Sequence, residues 1–194
     1  MKTAGLNDFF DHIYLINLRE RQDRLHLMKI KLEKLGIKYE IFEAVNGRTT
    51  DSTSGKQHQI QCESILARRG TFIKSHGAIG LIMTYQQLLN DALNKGYENI
   101  LILEDDIHFH KDFNEKLTEL NNCKPFLFKF TGNYGAIYLG ANQYNFTPIQ
   151  KEQLNCGAYE TSNKKWMYTY GTYAIALNKK FIKILLADLD LNKI

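Results

Sequence analysis

The sequence predicts an α/β fold built on a parallel sheet covered by helices, and three observations carry that expectation. A short apolar run, His12-Ile13-Tyr14-Leu15-Ile16-Asn17-Leu18, gives way to a segment of helical period and then to a second β-rich run at Tyr39 to Phe42. Strand, helix and strand within about thirty residues make a βαβ unit, whose crossover forces the strands parallel. Farther on, Asn99-Ile100-Leu101-Ile102-Leu103 is continuously aliphatic, the pattern of a strand buried on both faces. The 194 residues, 44% hydrophobic and 24% charged, lie in the globular range and suffice for a core without disulfides.

Each element has its own signal. In the first helix Leu25, Met28, Leu32 and Leu35 recur at spacings of three and four, and Gly36 follows as a C-cap. From Asn46 to Arg69 the chain turns polar without clear periodicity, so residues 48–70 are expected to form a loop or lid. Ser75 is placed to cap a second helix reaching Leu93, whose apolar stripe is Ile79, Ile82, Met83 and Leu89, with Lys95-Gly96 as its stop. Beyond Asp106 the pattern loosens. Ala136 to Leu139 and Thr172 to Leu177 read as strands, and Asn178 caps a closing helix through Phe181, Ile184 and Leu185. A Tyr-rich stretch from Tyr159 to Tyr173 carries the only tryptophan, Trp166. With no repeat, one domain over residues 1–194 is expected.

Composition excludes several function classes. The formal net charge is +4, and the cations are interleaved with acids, as in Arg19-Glu20-Arg21-Gln22-Asp23-Arg24. Such a pattern gives no footprint for a nucleic-acid partner, although a few cations suffice for one or two phosphates. The three cysteines, Cys62, Cys123 and Cys156, form no CxxC pair, so reduced, partly buried thiols are expected. No signal-peptide run or membrane-spanning stretch is present in the sequence, which sets a cytoplasmic location as the expectation.

The sharpest chemistry-bearing feature is Glu104-Asp105-Asp106, three carboxylates directly after the most apolar strand. The carboxyl end of a central parallel strand is where open α/β sheets bind ligands. Acids this close repel one another unless a cation compensates, and Mg²⁺ or Mn²⁺ prefers carboxylate and phosphate oxygens. A plain acidic turn is the alternative. If the strand continued, Glu104, Asp106, His108 and His110 would share one face and could form a metallohydrolase cage; the reading adopted ends the strand at the acids and leaves the histidines on a partly exposed turn. At the first strand's end, Arg21 and Arg24 could clamp phosphate near a helix N-terminus. A solvated helix face with Glu20 paired to Arg24 competes with that reading. The absence of a glycine-rich fingerprint argues against a dinucleotide fold or P-loop.

The blocks Ile16-Asn17-Leu18 with Arg21, Asp23 and Arg24, then Glu43-Ala44-Val45-Asn46-Gly47, Gly77-x-Ile79-Gly80 and Leu103-Glu104-Asp105-Asp106 resemble glycosyltransferase family 25. Tyr138-Leu139-Gly140 and Tyr170-Gly171-Thr172-Tyr173-Ala174 extend the resemblance in the right order, from about Ile13 to Leu186. That family includes bacterial lipooligosaccharide and procollagen galactosyltransferases.

The resemblance implies a GT-A-like αβα sandwich with a mostly parallel sheet and a Rossmann-like nucleotide-sugar half. It implies a UDP-sugar donor, Mn²⁺ (or Mg²⁺) as cofactor, and inverting transfer of a hexose, galactose or glucose. The acceptor would be the hydroxyl of a lipooligosaccharide-type glycan or of a hydroxylysine on a collagen-like chain. Asp106 and Asp105 become the catalytic carboxylates, with Asp106 and Glu104 toward the metal. Asn17, Arg21, Arg24 and Glu104 would lie along the nucleotide, over a loop of Ala44, Asn46 and Gly47. The aromatic stretch could stack on a sugar or pack the core. The chain departs from the family pattern at Thr84-Tyr85, where a Ser-His pair is usual, and at Tyr173, where His is frequent. It also ends at Ile194, before a late acidic segment of longer relatives, so a truncated form or an inactive nucleotide-sugar-binding module is the alternative. Asp188-Leu189-Asp190 matches a DxD pattern by letters but falls at a helix end.

Overall fold

Strand β1 (His12–Asn17) is almost wholly buried because its side chains alternate between two helical layers. The computed structural model describes residues 5–48, 53–67, 75–123, 135–143 and 169–189. These form α1 (Gln22–Lys34), β2 (Glu40–Glu43), α2 (Thr53–Leu66), α3 (His76–Asn94), β3 (Asn99–Glu104), α4 (Phe113–Cys123), β4 (Ala136–Gln143), β5 (Thr169–Asn178) and α5 (Lys179–Asp188).

The five-stranded sheet has the order β2-β1-β3-β5-β4. Both neighbours of β1 are parallel to it, whereas β5 runs antiparallel to β3 and β4. All strands but β5 therefore point the same way, and the mixed α/β fold with a mostly parallel sheet is as expected. On one face Ile13, Leu15, Leu101 and Leu103 pack against Leu25, Met28 and Leu32 of α1 and Leu117 of α4. On the other, Tyr14, Ile16, Ile100 and Ile102 meet Leu88, Leu89 and Ala92 of α3 and Ile182 of α5. Period two in the strands and a stripe on each helix thus generate the αβα sandwich. Each large aliphatic side chain so buried contributes about 1.5–3 kcal/mol relative to exposure.

The helix ends follow their sequence signals. Ser75 Oγ accepts from Ala78 N at 3.1 Å, and Asn178 Oδ1 accepts from Phe181 N at 2.8 Å. Gly36 and Gly96 adopt φ of 66° and 79°, which lets the chain leave α1 and α3 in a left-handed turn. At the sheet's amino end, Tyr14 Oη donates to Asp91 at 2.6 Å and His12 stacks on Tyr97 at 4.7 Å. Burial, then the hydrogen bond to Asp91, pushes the Tyr14 phenol well above its ordinary pKa.

One expectation needs correction, and one helix adds to the elements expected. Residues 53–66, expected within a loop or lid, are helix α2, whose buried Cys62 and Ile65 pack with Ile79 and Met83 of α3. The apolar stripe of α2 is too narrow to register as a period, and Ile60 is exposed. Helix α4 was not foreseen after Asp106; Phe113 and the buried Leu117 are what dock it. Strand β3 ends at Glu104 and turns at the acids, with His108 and His110 exposed beyond it, so the strand continuation that would align Glu104, Asp106, His108 and His110 is not present. Cys62 is a buried free thiol, pushed up in pKa by its burial. Cys156, the side chain of Cys123, Asp190 and most of the Tyr/Trp-rich stretch lie outside the described residues.

The β4–β5 ribbon overshoots its neighbours. The β3–β5 ladder closes at Leu103–Ala174, whereas β5 begins at Thr169, five residues earlier in the chain, still paired with Gln143 of β4. At about 3.4 Å per residue, the ribbon extends roughly 17 Å past the ladder's end.

Candidate functional site

The carboxyl ends of β1 and β3 bring Asn17 against the acidic turn. Asn17 is only 3% exposed, since it is still a sheet residue, and its polar groups must be satisfied internally. Its Nδ2 donates to Asp105 Oδ2 at 2.7 Å and to the Arg21 carbonyl at 3.2 Å. Its backbone carbonyl accepts from Ala44 N at 2.9 Å, which ties the loop after β2 to the same point. Arg24, in the first turn of α1, donates from Nη1 to Asp105 Oδ1 at 3.0 Å and to Asp106 Oδ2 at 2.9 Å. Asp105 therefore has both oxygens engaged and its side chain is 11% exposed, while Asp106 is 44% exposed and held by Arg24.

Arg24 joins the acids rather than pairing with Glu20. Glu20 instead accepts from Asn46 Nδ2, while Asn46 Oδ1 accepts from Arg48 N at 2.9 Å. Arg21 turns to Asp23, bonding both carboxylate oxygens at 2.9 and 2.8 Å. That bidentate contact is the main cause holding the Asp23 carboxyl down at about 2.

The loop Ala44–Gly47 lies along the first turns of α3. Val45 N donates to Thr84 Oγ1 at 2.8 Å, and Thr84 Oγ1 donates onward to the Gly80 carbonyl at 2.8 Å. A Cβ on Gly47 would come within 2.2 Å of the His76 carbonyl oxygen, and one on Gly80 within 2.5 Å of the Val45 carbonyl oxygen. Both glycines are required by close backbone approach. The sequence marked Thr84 only as a departure; its spacing of four from Gly80 was the available signal.

Two hollows meet at Asp106. A small cleft of about 140 Å³ is lined by Ile16, Arg24, Ala44, Thr84, Glu104 and Asp105 along with it. A larger, mainly apolar cavity of about 660 Å³ lies across the turn, walled by Ile107, Phe109, Phe113, Lys116 and Tyr173. His108 and His110 border the larger cavity, and His110 Nδ1 accepts from Asp112 N at 3.1 Å. Among the described residues no three His, Cys, Asp or Glu side chains converge to hold a metal ion, so the alternative of a hydrolase cage finds no support here. The exposed Asp106 carboxylate does fit a hard cation of the kind that takes one or two protein carboxylates and completes its shell with substrate phosphate.

Among the sites expected from sequence, Asn17, Arg24, Asp105 and Asp106 form one bonded network, with Ala44 tied to it and Glu104 on the same cleft. Arg21 and Asn46 flank that network through Asp23 and Glu20, and Gly47 seats the loop on α3. Among the described residues no helix is long and apolar enough to cross a membrane.

The family described as glycosyltransferase family 25 (LPS biosynthesis protein) matches residues 10–185. Procollagen galactosyltransferase 2 of Mus musculus is 30% identical over 172 residues, covering 87% of this chain and 26% of the relative. A glycosyltransferase 25 family member of Aedes aegypti is 24% identical over 197 residues, covering 94% of this chain and 29% of the relative. Inactive glycosyltransferase 25 family member 3 of Mus musculus is 25% identical over 140 residues, covering 70% of this chain and 23% of the relative. The chain thus spans between 23% and 29% of the length of these relatives. With the matched residues running from before β1 into α5, the chain belongs to glycosyltransferase family 25.

Proposed function

We propose that this chain transfers a hexose, galactose or glucose, from a UDP-sugar to a hydroxyl of a lipooligosaccharide-type glycan or a collagen-like hydroxylysine, with inversion and with Mn²⁺ or Mg²⁺. The observation that carries the reading is the Asn17–Asp105–Arg24–Asp106 network at the carboxyl ends of two adjacent parallel strands. A nucleotide is accommodated at such an edge because strand ends and loop backbone converge there. Asp106, with Glu104 alongside, would hold the metal, which when bound supplies charge stabilisation to the departing diphosphate.

The chain's own residues set the stage for that chemistry. Asn17 and Arg24 fix Asp105, which holds the turn so that Asp106 stays at the rim shared by both hollows. Of the loop Ala44–Gly47, Ala44 and Val45 line the small cleft where base and ribose would rest, while Gly47 is seated against the His76 carbonyl and Asn46 is drawn toward Glu20. Arg21 and Arg24 place positive charge where phosphates approach. The larger cavity across Asp106 is the side from which an acceptor hydroxyl would enter.

The test is a UDP titration with and without Mn²⁺. Metal should tighten binding, and Asp106→Ala should remove that gain by about tenfold or more while the protein stays folded. Metal-independent binding, or an unaffected Asp106→Ala variant, refutes the site as assigned. A second reading, a nucleotide-sugar-binding module without turnover, is favoured by Thr84-Tyr85 in place of Ser-His and by a relative named inactive. Release of UDP from UDP-galactose or UDP-glucose separates the two, because a module binds UDP and releases none from a sugar donor.

A further inference from the structure

We propose that Thr84 is a positioning residue for the donor, setting the height of the Ala44–Gly47 loop above the cleft through its buried hydroxyl; this rests on the nucleotide-sugar reading given above. Thr84 is wholly buried, and its single hydroxyl both accepts from Val45 N and donates to the Gly80 carbonyl. Every hydrogen-bonding direction that matters is used, so the hydroxyl has one orientation. His76, Gly80 and Thr84 are spaced by four and form one row along α3.

Each member of the row meets the loop. The His76 carbonyl abuts Gly47, Gly80 lies under the Val45 carbonyl, and Thr84 holds the Val45 amide. Steric contact at two points fixes how close the loop can come, whereas the Thr84 hydroxyl is the attraction that keeps it there. Asn17, whose carbonyl takes the Ala44 amide, fixes the loop's other end to β1. Residues 44–47 are therefore suspended between the acidic turn's own partner and α3. A change in loop height is transmitted to a ligand resting on Ala44 and Val45, which line the cleft, and leaves the Asp105–Asp106 turn in place.

The consequence is a specific kinetic signature. Loss of the hydroxyl strands the Val45 N–H in a buried setting, and the loop relaxes away from α3 to reach water. Donor affinity falls, while the step carried by the acids is spared. Thr84→Ala and Thr84→Ser both remove the methyl group, so comparing them isolates the hydroxyl. The UDP dissociation constant, measured by calorimetry with Mn²⁺, is expected to rise about tenfold for Thr84→Ala relative to Thr84→Ser. In a UDP-release assay the donor KM should rise in parallel, with kcat within about twofold. Gly80→Ala, which pushes on the Val45 carbonyl from below, should weaken UDP in the same direction.

Equal UDP affinity for the Ala and Ser variants overturns the proposal, as does a fall in kcat at unchanged KM. Should the wild-type chain itself bind no UDP, the wider nucleotide-sugar reading falls and takes this one with it. Wild-type binding with indifferent variants removes this inference alone.

Discussion

Removing the Asn17 side chain should destabilise the protein by about 2 kcal/mol and do so through Asp105. The side chain is buried, and its amide serves a carboxylate at 2.7 Å and a carbonyl at 3.2 Å. A hydrogen bond to a charged group contributes about 1.5–3 kcal/mol, and the longer neutral bond contributes about 0.5 kcal/mol. Asp105 keeps its contact with Arg24 in the Asn17→Ala variant, and Arg24 is partly exposed, so the loss stays near the lower end of the sum. At roughly 2–4 °C per kcal/mol for a chain of this size, the melting temperature should fall by about 4–8 °C. Urea unfolding of Asn17→Ala, Asp105→Ala and the double variant completes a cycle, with a coupling energy of about 1 kcal/mol expected. A loss under about 0.5 kcal/mol, or strict additivity, would refute the view that Asn17 and Asp105 are mutual supports.

Two other perturbations address the flanks of the site. Arg21→Ala should let the Asp23 carboxyl rise from about 2 toward its ordinary 3.8, read by carboxyl-carbon NMR titration. Because the folded pKa is depressed, the stabilisation is present above pH 3.8 and is lost as pH falls toward 2, so the variant should differ from wild type in neutral solution and converge with it in strong acid. Gly47→Ala sets a Cβ 2.2 Å from the His76 carbonyl oxygen, backbone against backbone, and should cost about 1–3 kcal/mol in urea unfolding; an unaltered midpoint would mean that the loop shifts freely.

The sheet was legible because buried parallel strands and amphipathic helices leave strong periodic traces: β1, α1, α3, β3 and α5 all fall where apolar spacing and capping residues place them. Helix α2 escaped because, among its described side chains, the apolar ones packed on a neighbour are Cys62, Ile65 and Leu66, and so few in so polar a stretch resemble a loop. The acidic turn was visible as charge after an aliphatic run, yet its internal bonding was not. Spacing along one chain could not tell whether Arg24 would meet Glu20, four residues away, or Asp105, eighty-one residues away. Thr84 was hidden for the same reason, since its partner Val45 belongs to a different element thirty-nine residues upstream.

The projecting β4–β5 ribbon behaves as a cantilever. Past Leu103 it has lost β3 as a neighbour, and breaks in register between Tyr138 and Gly140 and between Gly140 and Asn142 interrupt its ladder and add local twist. Its root, at Leu139, Gly140, Tyr173 and Ala174, walls the larger cavity but not the small cleft beside Thr84. Among the described residues, the overhang is therefore held by one pair of strands, bonded to each other and to no third strand. Sequence drift along the overhang can retune what leans on that wall while the Asp105–Asp106 end of the sheet, braced by two helical layers, keeps its shape.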